Sequence, residues 1–292
     1  MRDGLRSRLG ELVRQRRSGS DATSESAQAA KPRSRRRAAV TRGVDSGVEE
    51  FLSGGEWRHE RHGAVYVHER LRSAIEKPKP HWGRLPTPPE SEPLLRAIAA
   101  GGLERALFLD LETCGLGGSM VFLAGTMHWN GEDFVLRQYF ARHYGEEAGL
   151  VAAVAEQARG FDALVTFNGR SFDGPQLVSR ATAHLVDLTL PAQHLDLLHA
   201  SRRRWKATLP DCRLQTLERH ICRRDRSGDV PSAEVPQLYH DYVAQGEARK
   251  LVPVFHHNLL DVLTMAEILH ALCRPERFRG DSGPVRGLKT TY

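Results

Sequence analysis

Two carboxylates, Asp110 and Glu112, stand two residues apart directly after the apolar run Ala106-Leu107-Phe108-Leu109. Such a run predicts a buried strand, and alternate side chains of a strand point to the same face of its sheet. The two carboxylates then emerge together and repel each other unless a cation lies between them. Hard divalent cations prefer oxygen ligands of this kind. We therefore predict that Asp110 and Glu112 bind metal.

Two further acids stand in similar settings. Asp173 ends the segment NGRSFD (168–173), and Asp261 follows His257 by four residues in a helical pattern. Residues four apart share a helix face, whereas His256 lies about 140° away from Asp261 around the axis. Four acids fit two divalent cations, Mg²⁺ or Mn²⁺, which activate water and stabilise a leaving oxygen in phosphodiester hydrolysis. His257 is then placed to deprotonate or orient that water.

The pattern of apolar residues predicts the elements that position these side chains. Asn130-Gly131 between two apolar runs is a hairpin signal. Asp173 also suits the N-cap of the helix that Pro175 opens, and it can serve both roles. The predicted strands are 106–112, 120–128, 134–140, 163–167 and 194–198, and the predicted helices are 94–100, 146–159, 175–184, 214–221 and 253–272.

Four stretches together resemble a known family: FLDLETCGL (108–116), TFNGRSFDGP (166–175), DCRLQTLE (211–218) and VPVFHHNLLDV (252–262). They are similar to the motifs of the DEDD exonuclease superfamily, and more closely to the YprB-like ribonuclease H-like domain family. The resemblance covers about residues 103–273. It implies an α/β fold with a ribonuclease H-like mixed sheet flanked by helices, in agreement with the predicted order of elements.

The resemblance also implies roles for single residues. Asp110, Glu112, Asp173 and Asp261 would be metal ligands, and Thr113, Asn168 and Gly169 would contact the substrate. His257 stands where one branch of the superfamily has Tyr-x3-Asp, whereas His256 satisfies the His-x4-Asp spacing of another branch. The shared helix face favours His257 as the general base.

A basic segment, RRRWK (202–206), offers a candidate contact with a nucleic-acid backbone. Arg203 would pair with phosphate and Trp205 would stack on a base. The alternative is an exposed basic face with Trp205 packed underneath it.

The positive charge is concentrated at one end of the chain. Residues 1–43 hold 12 Arg or Lys and 4 Asp or Glu, a balance of +8, whereas the 292-residue chain carries +6 in total, so the remainder carries −2. We predict a disordered basic tail over 1–45, which binds polyanions or is simply solvated. An irregular Pro-containing connector (46–102), the main domain (103–273) and a C-terminal tail (274–292) would follow.

The function expected from these patterns is that of a metal-dependent nuclease, a 3′→5′ exonuclease that uses a two-metal-ion mechanism on single-stranded DNA or RNA ends. A structure-selective endonuclease and a non-catalytic nucleic-acid-binding module remain alternatives. Four cysteines without a CxxC pair and the absence of a long apolar stretch predict a cytoplasmic protein without a membrane partner. The sequence does not indicate an oligomeric state.

Overall fold

The computed structural model describes residues 47–79, 82–226, 229–274 and 286–287. The predicted basic tail and most of the predicted C-terminal tail lie outside these residues. The described residues form a seven-stranded mixed sheet with helices on both faces, as the sequence predicts. The strands are β1 (Gly55–His59), β2 (Gly63–Leu71), β3 (Ala106–Thr113), β4 (Val121–Trp129), β5 (Phe134–Phe140), β6 (Ala163–Thr166) and β7 (Gln193–Asp196), and the short strands β8 (Arg224–Asp225) and β9 (Arg286–Gly287) pair separately.

Helices whose sequences show a clear apolar period begin and end close to the predicted residues. The helices are α1 (Pro93–Gly101), α2 (Glu147–Ala158), α3 (Asp173–Ala183), α4 (Leu197–Trp205), α5 (Leu214–Leu217), α6 (Val235–Gln245) and α7 (Val252–Cys273). A π-helical turn (Glu218–Cys222) continues α5. None of the helices in the described part of the chain is long and apolar enough to span a membrane.

Strand β3 lies inside the sheet, whose order is β1-β2-β5-β4-β3-β6-β7. It pairs antiparallel with β4 and parallel with β6. Asn130 and Gly131 make the predicted turn between β4 and β5: the Asn130 side chain accepts the N–H groups of Glu132 and Asp133, and Gly131 adopts a φ of +101°. The hairpin is thereby confirmed.

The two faces of β3 contact different helices. Leu109 packs with α2 residues such as Leu150, whereas Phe108 packs with Leu259 of α7. Because side chains alternate along the strand, Asp110 and Glu112 follow Phe108 onto the α7 side. The long helix therefore covers the face that carries the carboxylates.

The segment predicted as an irregular connector contains two strands of the main sheet. β2 pairs with β5, and β1 extends the sheet beyond β2, so the predicted boundary at residue 103 falls within the sheet. The turn between them passes through Gly63 at a φ of +84°, and Val65 is fully buried. The sequence prediction missed helices α4 and α6, because a basic run in α4 and Pro236 in α6 obscured their apolar periods.

Candidate active site

Asp110 is held by a polar row that crosses three strands. Asp110, Gly125 and Gln138 are register neighbours on β3, β4 and β5. Asn258 of α7 lies over this row: its Nδ2 donates to Asp110 at 2.9 Å, and its Oδ1 accepts from Gln138 Nε2 at 3.1 Å. The Asp110 carboxylate therefore has a fixed orientation in the fold.

Gly125 permits this close approach of helix to sheet. A Cβ atom at this position would lie 2.2 Å from Asn258 Oδ1 and 2.7 Å from its Cγ. Real contacts of that length do not occur, so any side chain at residue 125 would displace Asn258. The glycine thus connects the packing of α7 to the orientation of Asp110.

Asp173 enters the site from the first residue of α3. One of its carboxylate oxygens accepts the backbone N–H of Leu111 at 3.0 Å, between Asp110 and Glu112 in the chain. The predicted capping role is not observed, because Phe172 is the N-cap residue and makes no side-chain cap bond. The Asp173 side chain instead ties α3 to the strand that carries the other acids.

Helix α7 supplies His257 and Asp261. His257 is 4% exposed, and its Nε2 lies 3.6 Å from Asp261 Oδ2. Its Nδ1 forms a 2.7 Å hydrogen bond with Asp229 Oδ1. His256 is less buried, and because the helix already begins at Val252 its side chain leaves on another face. The structure therefore places His257, rather than His256, beside the acids.

Arg226 introduces a positive charge that the sequence analysis did not place here. Its guanidinium donates to Asp261, to Glu218 and, at 3.2 Å, to Asp229. Only 8% of its side chain is exposed. Arg226 thus neutralises part of the negative charge in the site from the same segment that carries Asp229.

Burial and mutual repulsion favour the protonated forms of the acids. Burial, followed by the charges of Asp261, Glu112 and Asp173, raises the pKa of Asp110 well above its ordinary value. Burial likewise raises the pKa of Glu112 to about 8 and that of Asp173 to about 7. The carboxylates are close enough to feel one another, which is the condition that favours cation binding.

The protonated form of His257 is favoured as well, but for a histidine this is the charged form. Burial opposes its charge, but the hydrogen bond to Asp229 and the nearby charges of Asp261 and Glu112 raise its pKa to about 9. The pKa of Asp229 is lowered: burial opposes this, but the hydrogen bond from His257 and the charges of His257 and Arg226 outweigh it. His257 and Asp229 therefore form a charged pair in the protein without metal.

The donor set fits hard divalent cations, because it consists of carboxylates, and the charge of Asp261 acts on Asp110, Glu112 and Asp173. The side chains are not arranged around an ion: among the described residues, no three His, Cys, Asp or Glu side chains are grouped closely enough to hold one. Arg226 is bonded to Asp261, and Asn258 to Asp110. A cation at Asp261 would have to displace or share the guanidinium.

A cleft of about 360 Å³ opens beside Asp173. A glycine-containing loop forms one wall, where Gln176 accepts the Gly118 N–H at 2.8 Å and Arg180 donates to the Gly118 carbonyl at 3.0 Å. Phe172, which is 53% exposed, contributes an aromatic ring. The cleft is lined by Leu111, Thr113, Gly115, Gly117, Gly118, Ser171, Phe172, Asp173, Pro175, Gln176 and Ser179.

The residues of the second motif have clear structural roles. Asn168 adopts a left-handed φ of 64°, and its backbone N–H donates to Asp196 Oδ1 at 2.8 Å. A Cβ on Gly169 would lie 2.4 Å from Thr166, so this position requires glycine.

Thr113 belongs to the first motif. It lines the cleft, and its hydroxyl donates to the Gly115 carbonyl at 2.6 Å.

The predicted stacking role of Trp205 is not met. Trp205 is 5% exposed and packs in the core with Leu197 and Leu269, so its ring offers no face to a base. Arg203, at the end of the same helix, forms an ion pair with Glu92 at 2.7 Å. The structure therefore agrees with the alternative that the sequence left open, in which Trp205 packs underneath an exposed basic face.

Four residues of the site were missed by the sequence analysis: Gln138, Arg226, Asp229 and Asn258. Asn258 adjoins His257 and so lay within a recognised motif. Arg226 was visible only as part of a basic run, and Asp229 and Gln138 had no local signal. Their partners lie far away in the chain, so only packing identifies them.

Comparison with known proteins relates the chain to a family and to individual proteins. A sequence model of the RNase H superfamily matches residues 107–273. A Bacillus subtilis (strain 168) protein described as "Uncharacterized protein YprB" is 32% identical over 184 residues, which cover 60% of this chain and 44% of that protein. These two matches confirm the resemblance predicted from the motifs. The structure of the family B DNA polymerase from the hyperthermophilic archaeon Pyrobaculum calidifontis matches with a TM-score of 0.46 and 16% identity, over 56% of this chain and 24% of that one.

Proposed function

The chain belongs to the ribonuclease H superfamily, and from this membership we propose that it is a metal-dependent nuclease that degrades single strands from the 3′ end. One observation carries the proposal: acids from β3, from the start of α3 and from α7 share one electrostatic field beside a buried histidine. A surface cluster of acids would not be buried or paired with such a histidine. The superfamily and the four motifs support phosphodiester hydrolysis.

Asp110, Glu112, Asp173 and Asp261 would hold two divalent cations, Mg²⁺ or Mn²⁺. Bound there, such cations supply an activated water and a sink for charge on the leaving oxygen. Asp110 is oriented for this role by Asn258, and Asp173 by the Leu111 N–H. Asp261 requires release or sharing of Arg226.

His257 would accept the proton of the attacking water or orient it. In the metal-free protein the ring is protonated at neutral pH, because its pKa is about 9. Cations held by the carboxylates would offset the negative charge that stabilises the imidazolium and so would lower the pKa of His257. His257 would then be able to act as a base near neutral pH.

The cleft beside Asp173 would receive the terminal nucleotide. Its volume of about 360 Å³ suits a small ligand, and exposed Phe172 offers a ring on which a base can stack. The glycines of the wall carry no side chains that would keep a phosphate away from the backbone. Contacts of this kind favour an end over an internal sequence and imply little base preference.

A degradation assay tests the proposal. The full chain is incubated with 3′- or 5′-labelled single-stranded DNA and RNA in Mg²⁺, Mn²⁺ or EDTA, with Asp110→Asn as the matched inactive control. We expect metal-dependent release of mononucleotides from 3′-labelled strands, and ladders of shortened products from 5′-labelled strands.

A circular single strand separates the alternatives. Cleavage of the circle would favour a structure-selective endonuclease and contradict the exonuclease proposal. Binding of all substrates without degradation in either metal would favour a non-catalytic module. Degradation that proceeds equally in EDTA would refute the metal dependence.

A further inference from the structure

The buried ring of His257 is held through Nδ1, the nitrogen that does not face Asp261. Asp229, 28 residues earlier in the chain, takes the Nδ1–H of His257 on Oδ1 at 2.7 Å. The side chains are 10% and 5% exposed, so water does not compete for this bond. The contact joins α7 to the segment between β8 and α6.

The Asp229 carboxylate is itself fixed by two other donors. Oδ1 also accepts the backbone N–H of Val230 at 3.0 Å, and Oδ2 accepts from Arg226 at 3.2 Å. Both oxygens are therefore used within the protein, and these bonds fix the orientation of the carboxylate toward His257. Its available role is to hold the histidine.

The consequence for His257 is a fixed orientation. With Nδ1 committed to Asp229, Nε2 is the nitrogen that faces Asp261, at 3.6 Å. When the ring is neutral, this arrangement places its proton on Nδ1 and its lone pair on Nε2, toward the acids. Without Asp229, the ring could rotate or carry its proton on the wrong nitrogen.

We propose that Asp229 is a positioning residue that fixes the ring and the tautomer of His257 for the nuclease reaction. The inference rests on the proposed function in that it takes His257 as the base. It differs from a purely structural ion pair, which would hold the segment on α7 without affecting turnover. Asp229 touches neither the substrate nor the reacting atoms in this assignment, so it acts through His257.

A double-mutant cycle tests the proposal in the full chain with Mn²⁺ and a 5′-labelled single strand. Asp229→Asn should lower kcat by about tenfold or more with KM nearly unchanged, because loss of an orienting partner commonly costs 10- to 100-fold. In the His257→Ala background, Asp229→Asn should have no further effect. Asp187→Asn, which removes the charge from an exposed ion pair with Arg159, is the matched control and should behave as wild type.

Two further measurements keep the result decisive. Proton NMR of the metal-free protein should show an exchange-protected low-field Nδ1–H signal that is absent from both Asp229→Asn and His257→Ala. Asp229→Glu retains the charge, and it replaces the asparagine variant if that variant is poorly folded; it should recover part of the turnover.

The proposal is overturned by wild-type kcat in Asp229→Asn, by additive losses in the double variant, or by persistence of the Nδ1–H signal without Asp229. If the wild type degrades no substrate, the nuclease function fails, whereas the NMR comparison still decides whether Asp229 fixes the ring.

Discussion

Burial and neighbouring acids disfavour the ionised form of individual carboxylates in the site. Asp110 illustrates this, because burial and three neighbouring acids all raise its pKa, whereas the hydrogen bond from the Asn258 amide acts to lower it. A carboxylate in such a place costs stability when it is ionised and no cation is bound. Binding of a cation and stability of the metal-free protein are therefore coupled at this residue.

Asp110→Asn should separate these two effects. We expect nuclease activity in Mg²⁺ to fall by roughly 100-fold or more, since a direct ligand contributes at least as much as its outer-shell partners. In EDTA, the melting temperature of the variant should exceed that of wild type by an amount that grows as pH rises above the ordinary aspartate pKa of 3.8, because the unfolded wild-type chain ionises there whereas burial and the neighbouring acids keep the folded carboxyl protonated. Near-normal activity of this variant in Mg²⁺ would remove Asp110 from the metal site.

The two adjacent histidines should differ in their effect. His257→Ala should lower kcat by about 10²-fold or more, the usual worth of a positioned general base, while Mn²⁺ affinity measured by calorimetry is largely retained. His256→Ala should remain close to wild type, because its side chain leaves α7 away from Asp261. If His256→Ala is the more damaging change, the assignment of the base to His257 is wrong.

At the level of elements, the site depends on how closely α7 packs on β4. The contact is made at Gly125, where Asn258 occupies the space that a side chain would need. The same approach fixes Asp110 through Asn258. The same residue, Asn258, therefore packs α7 on β4 and orients the Asp110 carboxylate.

Gly125→Ala should lower both stability and activity. The added methyl group forces Asn258 away and should cost about 1–3 kcal/mol, the usual range for overpacking. Thermal unfolding followed by circular dichroism measures this loss, and the degradation assay should show reduced kcat because Asp110 loses its orienting amide. Gly55→Ala on β1 is the control, since a Cβ there meets nothing within 4 Å. Equal melting temperatures for the two variants would contradict this account of Gly125.

At the scale of the whole molecule, the charges divide between the predicted tail and the rest of the chain. The balance is +8 over residues 1–43 and −2 over the remainder. Contact between the tail and phosphates would release counterions, so binding would depend steeply on salt.

Deletion of residues 1–43 tests this role of the tail. We expect weaker binding of single strands and a smaller slope of log Kd against log salt, measured by fluorescence anisotropy, with kcat at saturating substrate nearly unchanged. An unchanged slope would show that the tail does not contact nucleic acid.

The metal-free protein should lose stability as pH rises. Glu112 and Asp173 have pKa values of about 8 and 7, above their ordinary values of 4.5 and 3.8, and His257 has a pKa of about 9 against 6.5. All three groups bind protons more tightly in the folded chain, so their contributions are present at low pH and are lost as pH rises through these values.

We expect the melting temperature in EDTA to fall by roughly 5 °C or more between about pH 5.5 and pH 8.5, as a loss of a few kcal/mol would produce in a chain of this size. Added Mn²⁺ should raise it more at the higher pH, because cations bind the ionised carboxylates. Scanning calorimetry at both pH values measures the effect. A melting temperature that rises with pH in EDTA would contradict the raised pKa values.

The sequence by itself determined those features that depend on neighbours within a few residues. The alternation in β3 put Asp110 and Glu112 on one face, Asn130-Gly131 defined the β4–β5 turn, and the four-residue spacing put His257 beside Asp261. Strand and helix periods are properties of the local backbone, so they can be predicted from the sequence of residues. The mixed sheet followed from the order of these elements.

Tertiary structure alone decided what joins distant segments. It added β1 and β2 to the sheet, buried Trp205 in the core, and brought Asn258 to Asp110 across 148 positions. It also placed Asp229 and Arg226 against α7, although they lie in a segment without a strong apolar period. Such contacts depend on which surfaces pack together after many elements have formed, and no short stretch of sequence specifies that outcome.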